Sequence, residues 1–278
     1  MAVSMNQLDF PETDYAAITQ SVHDQAVETV IAQMRADVSF PFTLETFAEM
    51  ANYSPFHFAR LFRQTVGSPP GEFLAALRFE KAKQLILRTD MSITDVCFEV
   101  GFSSLGTFSA RFKHLVGLSP VELRTMPELL AERLADLDNL GMSKVARKRK
   151  GINLCGEVTS PRNDSGHLFI GLFPAAIPQS SPVSGNRIPG PGVFTLPNVP
   201  FGSYRLLAAM FPLSADPLDH LLPGNRLQVG SDPKPVVVSP DEPPRLLSLE
   251  LRTAQPTDPP ILTALAPMVL GLKSSLSA

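Results

Sequence analysis

The sequence predicts a multidomain protein in which an all-α tandem helix-turn-helix domain is followed by an all-β sandwich domain. Proline is the first indication, because seven of the 27 prolines lie before residue 151 and twenty lie after it. Proline breaks helix interiors, so the first half can be helical while the second half must consist of strands and turns. The other two indications are an internal repeat in the first half and a series of short apolar segments in the second.

Length and composition favour two globular domains. A chain of 278 residues exceeds one ordinary domain, and 44% hydrophobic with 18% charged residues excludes a wholly disordered chain. The N-terminus carries Asp9, Glu12 and Asp14 and no apolar run, which is unlike a signal peptide. The apolar stretch at 261–272 contains Pro267 and is too short to span a bilayer. We therefore expect a cytoplasmic protein without a membrane partner.

Cysteine usage and net charge exclude further classes. Cys97 and Cys155 lie far apart without CxxC spacing, so neither a disulfide framework nor a structural zinc site is expected. A net charge of -3 argues against a protein that coats nucleic acid by bulk electrostatics, although it allows basic residues gathered on one face. No cofactor and no metal site is predicted.

The helical half contains an internal repeat. Residues 43–73 align with residues 92–123, with an offset of 50 after a central turn, where Ser54 corresponds to Ser104, and of 49 before it. One additional residue in the second turn explains the difference. Each repeat predicts a short helix, a tight turn and a second amphipathic helix.

The second helix of each repeat has an inward and an outward face. We expect the inward residues to be Phe58, Leu61, Phe62 and Thr65 in the first repeat and Phe108, Phe112 and Leu115 in the second. A helix from about Gly71 to Arg88 connects the units and is about 27 Å long at about 1.5 Å per residue. This length suits two helices that enter successive major-groove segments, which lie about 34 Å apart. Cys97 corresponds to Ala48 and is either a small buried residue or a reactive thiol.

This tandem pattern resembles the AraC-type transcriptional regulators. The segment RFEKAKQLIL at 78–87 is similar to the family's connecting helix, and DVCFEVGFSSLGTFSARFKHLVGLSPVELR at 95–124 is similar to its signature segment. The resemblance covers about residues 21–125. It implies sequence-specific binding of double-stranded promoter DNA by a pair of recognition helices.

The resemblance also implies which residues contact DNA. The base-contacting positions fall on Phe56, Ala59, Arg60, Leu105, Gly106, Thr107 and Ala110. Backbone contacts are expected from Ser54, His57, Arg63, Ser104, Ser109 and Lys113, with His57 left open between a phosphate contact and simple solvent exposure. Arg60 can donate hydrogen bonds to the O6 and N7 acceptors of guanine, and Phe56 can make an apolar contact with a thymine methyl group or a sugar.

The second recognition helix departs from the family pattern. Leu105 and Ala110 occupy positions that are commonly polar or basic in the family, so this helix is expected mainly to dock while the first one reads bases. Residues 21–125 carry 10 Lys plus Arg against 11 Asp plus Glu. We therefore expect modest monomer affinity, assisted by the basic residues 147–150 or by homodimerisation.

The second half predicts strands at 152–160, 166–174, 192–200, 202–211, 233–239 and 245–252. The segment from Phe194 to Tyr204 resembles a turn of the carboxypeptidase-regulatory or transthyretin-like β-sandwiches. Such a domain leaves three roles open: sensing a small-molecule effector, homodimerisation, or contact with another protein such as RNA polymerase. The apolar tail either covers the sheet or binds a partner.

These observations divide the chain into five parts. They are an N-terminal extension at 1–20, the DNA-binding domain at 21–125, a helix after Pro127 with a basic linker or phosphate tether at 126–150, the sandwich at 151–255 and the apolar tail at 256–278.

The alternative is a hydrolase or transferase that uses the helical half for DNA targeting. Such an enzyme needs a pocket with paired titratable groups. Neither cysteine has the basic neighbours of an alkyl-transfer nucleophile, Tyr204-Arg205 lacks the Gly-Ser that completes a ureide-hydrolase signature, and His167 and His220 are expected at the surface or in turns. We therefore predict no enzymatic activity.

Overall fold

The computed structural model describes residues 12–139, 143–146, 151–162, 165–178, 180–222, 224, 226–241 and 245–272. The helices of the first half are α1 (Glu12–Ala36), α2 (Leu44–Met50), α3 (Pro55–Val66), α4 (Pro70–Arg88), α5 (Ile93–Glu99), α6 (Leu105–Val116), α7 (Pro120–Ala131) and α8 (Leu134–Asn139). Helices α2 and α3 form the first helix-turn-helix unit and α5 and α6 the second, with α4 between them. The helical repeat predicted from the sequence is confirmed.

The second half is rich in strands. They are β1 (Ser143–Ala146), β2 (Ile152–Thr159), β3 (Gly166–Phe173), β4 (Ser184–Ile188), β5 (Gly192–Val199), β6 (Gly202–Pro212), β7 (Gln228–Ser231), β8 (Val236–Val238), β9 (Leu247–Glu250) and β10 (Arg252–Thr253), with short helices α9 (Pro217–Leu221) and α10 (Leu265–Leu270). The predicted strands correspond to β2, β3, β5, β6, β8 and β9. Of the basic linker, Arg147 to Lys150 lie outside the described residues.

The two helix-turn-helix turns differ by one residue, as the repeat predicted. Asn52 and Gly101 are equivalent at an offset of 49, and both adopt left-handed conformations, with φ values of 58° and 83°. In the second turn Ser103 is additional before the N-cap residue Ser104. A Cβ atom at Gly101 would lie 2.9 Å from the carbonyl oxygen of Ser39, so the second turn requires glycine for space as well as for φ.

The expectation that a new helix starts after Pro127 is wrong. Helix α7 begins at Pro120, runs through Pro127 and ends at Ala131, and the break falls before α8. Leu123, Met126 and Leu130 are all buried along α7. Their packing outweighs the hydrogen bond that proline removes from the helix interior.

The described strands form two sheets. The larger sheet has the order β1-β4-β3-β6-β7-β10, with β8 also paired to β6, and the smaller sheet has the order β5-β2-β9. The turn from β5 to β6 crosses from the smaller sheet to the larger one, and the Tyr204 hydroxyl donates to the Pro200 carbonyl at 3.1 Å. A Cβ atom at Gly202 would lie 2.7 Å from that hydroxyl oxygen, so the crossing needs glycine.

Hydrophobic residues pack in three clusters. One lies among α1, the first helix-turn-helix unit and the first half of α4, and another lies between the two sheets. The third joins Phe108 and Phe112 of α6 to Phe169 and Phe211 on the outer face of the larger sheet and to Leu262 of the C-terminal segment. The second helix-turn-helix unit therefore shares its core with the sheet region.

Two histidines were wrongly placed at the surface by the sequence analysis. His167 and His220 are 1% and 3% exposed, and their ring centroids lie 5.3 Å apart. The His167 Nδ1 atom is hydrogen-bonded to the buried Arg187 side chain. These polar residues are buried because α9 covers the end of β3, a contact that strand periodicity does not indicate.

Candidate nucleic-acid interface

Helix α3 carries the first candidate recognition surface. The Ser54 hydroxyl caps its start by accepting a hydrogen bond from the His57 backbone N–H at 3.4 Å, and Gly67 ends it with φ 84°. Phe58 and Phe62 are completely buried. Because these two rings anchor one side of the helix, its opposite side is turned to solvent.

The outward side of α3 combines an aromatic ring with two cations. Phe56 is 82% exposed, and Arg60 and Arg63 are exposed while Ala59 is half-buried. Within the part of the chain that the structure describes, neither guanidinium has a carboxylate within ion-pair distance. Both arginines are therefore available to an anionic partner.

His57 has a more constrained setting than its neighbours on α3. Its ring is half-buried and stacks on the Tyr53 ring at a centroid distance of 4.9 Å. The His23 ring of α1 approaches it edge-on at 6.1 Å. Simple solvent exposure therefore does not describe this residue, and a phosphate contact stays a prediction.

Helix α6 carries the second candidate surface. The Ser104 hydroxyl caps it by accepting from the Thr107 backbone N–H at 3.4 Å. A Cβ atom at Gly106 would meet no other atom within 4 Å, so a partner's backbone can approach closely there. The exposed positions are Leu105 (38%), Gly106, Thr107 and Ala110, and Ser109 is half-buried.

Two interactions at α6 were missed by the sequence analysis. Lys113 lies 3.9 Å from the carboxylate of Glu122, which also accepts a hydrogen bond from the Ser119 backbone N–H at 2.6 Å in a capping box. This carboxylate partly offsets the charge of Lys113. The S-x-x-E pattern of 119–122 was a usable signal for the box but not for the ion pair.

Arg111 breaks the symmetry of the repeat. It corresponds to the buried Leu61, yet its side chain is exposed and its guanidinium lies over the Phe79 and Phe102 rings, at 5.6 and 5.9 Å from their centroids. Such cation–π contacts hold the guanidinium in place while leaving it charged. Arg111 is therefore a further cation on α6.

The sheet region contacts α6 at its C-terminal end. The Ser180 N–H donates to the Leu115 carbonyl at 2.8 Å, and the Ala264 N–H donates to the Val116 carbonyl at 3.0 Å. These bonds satisfy carbonyl groups that a helix end leaves without partners. The N-terminal half of α6, which carries the predicted base contacts, stays exposed.

The cysteines occupy different surroundings. Cys97 is buried, and burial raises the pKa of its thiol, so the interpretation as a small buried residue is confirmed. Cys155 is exposed. Among the described residues no group of three His, Cys, Asp or Glu side chains is arranged to hold a metal ion, and no helix there is long and apolar enough to cross a membrane.

Comparisons with known proteins concern the helical half. A family profile described as "Helix-turn-helix domain" matches residues 47–126. The chain is 34% identical over 88 residues to a probable transcription factor PqrA of Proteus vulgaris, covering 31% of this chain and 72% of that protein. It is 32% identical over 112 residues to the HTH-type transcriptional activator RhaR of Klebsiella pneumoniae, covering 40% and 39%.

Other relatives are longer than the matched part. The chain spans 35% of an uncharacterized HTH-type transcriptional regulator of Haemophilus influenzae, at 30% identity. Among solved structures, an AraC-type regulator from Chromobacterium violaceum matches at 27% identity and a TM-score of 0.36, covering 38% of this chain and 94% of that one. The DNA-binding domain of AdpA, solved with a target DNA, matches at 29% identity and a TM-score of 0.36, covering 37% and 94%.

Proposed function

Because this chain belongs to the AraC-type helix-turn-helix transcriptional regulators, we propose that it binds promoter DNA sequence-specifically through α3 and α6. The observation that carries the proposal is the matched exposure of the two helices. Each begins at a serine cap and leaves its N-terminal half uncovered by the sheet region. Helix α4 has 19 residues and is about 28 Å long, which suits two neighbouring major-groove segments.

We assign base discrimination mainly to α3. The exposed Arg60 can donate two hydrogen bonds to guanine, and the exposed Phe56 can contact a thymine methyl group. On this proposal Arg63 and Ser54 bind phosphates and set the register, and the half-buried His57 adds a phosphate contact beside them.

We assign mainly docking to α6. Leu105 and Ala110 offer only apolar contacts, Gly106 allows a close approach, and the neighbouring side chains of Ser104, Thr107, Ser109 and Lys113 hold sugar and phosphate. Arg111, held against two aromatic rings, adds a further cation to this helix. The proposed division supplies affinity from both helices and specificity mainly from one.

We propose that the sheet region is a transthyretin-like sandwich that senses a ligand and acts on the DNA-binding units. The hydrophobic cluster between the two sheets and the Tyr204 turn support the fold. The shared core and the hydrogen bonds from Ser180 and Ala264 to α6 support the coupling, since they join the sheet region and the C-terminal segment directly to the second unit. Homodimerisation and contact with RNA polymerase stay predictions.

Footprinting of the purified full chain on its own upstream region tests the DNA-binding proposal. We expect protection of two adjacent major-groove segments on one face of the duplex. The Phe56→Ala, Arg60→Ala double variant should lose protection in one segment first because both residues lie on α3, and Arg162→Ala, at an exposed arginine, is the control that should keep both. An absence of protection at physiological salt contradicts the proposal.

A further inference from the structure

A cleft of about 760 Å³ lies between the first helix-turn-helix unit and the outer face of the larger sheet. Helix α1 and the C-terminal end of α3 form one wall, strands β3, β6 and β7 form the other, and α10 closes one end. The volume lies within the range of about 300–1,000 Å³ that is typical of small-molecule sites. Clefts between two structural units are frequent places for such sites.

The sheet side of the cleft is largely apolar. Phe169, Leu207 and Val229 line it from the strands, and Leu265 and Met268 line it from α10. A ligand body that is aromatic or branched aliphatic would bury apolar surface here, which is the main favourable contribution to binding in such a pocket.

Some charged side chains of the cleft form ion pairs and others do not. Arg252 and Asp258 form a bidentate ion pair with distances of 2.7 and 2.6 Å, and Asp232 is paired with Arg245 outside the lining. Arg205 donates to the Pro233 carbonyl at 2.9 Å and has no carboxylate within ion-pair distance among the described residues.

Arg63 is likewise without an ion-pair partner in the described part of the chain, and it lines the same cleft from α3. On the acidic side, Asp24 accepts hydrogen bonds from Gln20 and Thr65, and Glu28 is exposed. Arg63 and Arg205 are therefore the two arginines of the lining whose guanidinium groups are available to a ligand, while the carboxylates of Asp24 and Glu28 lie on the α1 wall.

We propose that this cleft binds a small organic anion with an apolar body, whose acidic group is held by Arg63 and Arg205. A guanidinium binds a planar carboxylate with two hydrogen bonds, which gives orientation as well as affinity. The proposal that the cleft binds an anion is argued from the cleft residues alone. Only the effect of the anion on DNA binding rests on the proposed function.

The consequence follows from the double role of Arg63. The same guanidinium cannot hold a ligand's acidic group and a DNA phosphate at once, so the bound anion lowers the affinity for DNA. By linkage, DNA lowers the affinity for the anion by the same factor. The ligand thus weakens the binding of the regulator to DNA.

Fluorescence titration with 8-anilinonaphthalene-1-sulfonate, an apolar aromatic anion, tests the binding. We expect one saturable site per chain, from which 1-naphthoate displaces the probe at a concentration at least about tenfold lower than the neutral 1-naphthalenemethanol requires. Arg205→Gln should weaken the binding of both anions, and Leu207→Trp, which fills the cleft, should abolish it. Arg162→Gln, an exposed arginine outside the lining, is the matched control and should change neither.

Circular dichroism of each variant checks that the fold is kept. Equal displacement by the acid and the alcohol, or binding that survives Leu207→Trp in a folded variant, overturns the proposal.

Footprinting in the presence of 1-naphthoate tests the consequence. The affinity for DNA should fall about fivefold or more, and Arg63→Gln should remove the response. Anion binding without any DNA protection supports the cleft and contradicts the proposed function. DNA protection without anion binding supports the proposed function and contradicts the cleft as an anion site. If both the anion and DNA bind and neither changes the affinity for the other, the double role of Arg63 is wrong.

Discussion

The ammonium group of Lys83 lies 3.2 Å from the carbonyl oxygen of Leu262 and donates a hydrogen bond to it. A second bond reaches the Ile261 carbonyl at 3.3 Å. Lys83 is 2% exposed and lies on α4, the helix between the two helix-turn-helix units. The C-terminal segment is thus tied directly to α4, the element that joins the two helix-turn-helix units.

Lys83 makes the stability of the protein depend on pH in the alkaline range. Burial lowers the pKa of its ammonium group from 10.5 to about 8, with Glu80 opposing the shift. Between about pH 8 and about pH 10.5 the unfolded chain binds more protons at this residue than the folded chain does, so its contribution to the free energy of unfolding rises with pH. The rise is at most about 3.5 kcal/mol, from about 1.4 kcal/mol for each pKa unit.

Urea unfolding of wild type and Lys83→Met across this pH window measures the effect. The difference in unfolding free energy between the two proteins should shift in favour of wild type as the pH increases. Lys81→Met removes an exposed lysine from the same helix and should keep the wild-type pH dependence. Parallel curves for wild type and Lys83→Met would contradict the burial of a titrating lysine here.

Leu262→Ala should destabilise the protein by about 2–5 kcal/mol, because it leaves a cavity where the side chain is 1% exposed. The loss should speed amide hydrogen exchange in α6 and α7, since both share the cluster around Leu262. Leu246→Ala, at a residue that is 74% exposed, is the matched control and should change stability by less than about 0.5 kcal/mol. Similar effects of the two substitutions would argue against a core shared with the second unit.

Arg60→Ala should weaken binding to the preferred site by about 1–3 kcal/mol and relax the base preference at a single position. The reason is the loss of a bidentate contact to guanine. Binding competition against a library of single-base variants of the site measures it, with Arg162→Ala as an exposed control. A uniform loss across all sequences would reassign Arg60 to phosphate binding.

Lys113→Ala should weaken binding to all sequences alike and reduce the salt slope by about one. The ion pair with Glu122 competes with phosphate for Lys113, so the loss should be smaller than for Arg63→Ala, whose guanidinium has no such partner among the described residues. Titrations at several salt concentrations give both slopes. A change in base preference for Lys113→Ala would contradict its assignment to the backbone.

Local patterns in the sequence predicted much of the helical half. The repeat placed Ser54 opposite Ser104, which the structure shows as helix N-caps, and it placed the buried rings of Phe58 and Phe108 and the additional turn residue, because helical periodicity depends on neighbours within a few positions. The predicted DNA contacts depend on the same local order, and their roles stay predictions.

Strand prediction failed where buried residues are polar. Strand β4 consists of Ser-Gly-Asn-Arg-Ile and is buried along its whole length, so it shows no alternation of apolar and polar residues. Gln228 of β7 is also polar and buried. Both faces of β4 are covered, and a periodicity of two appears only when one face meets water.

The sequence by itself determined the helical first half and the strand-rich second half, the two helix-turn-helix units and the exposed N-terminal positions of α3 and α6, because these depend on residues close together in the chain. Only the tertiary structure decided that the second unit shares its core with the sheet region, that Lys83 is buried and that a cleft lies beside Arg63. Lys83 and Leu262 are 179 positions apart. No local sequence pattern predicts which surfaces far apart in the chain will pack together, since these contacts depend on how whole helices and sheets pack.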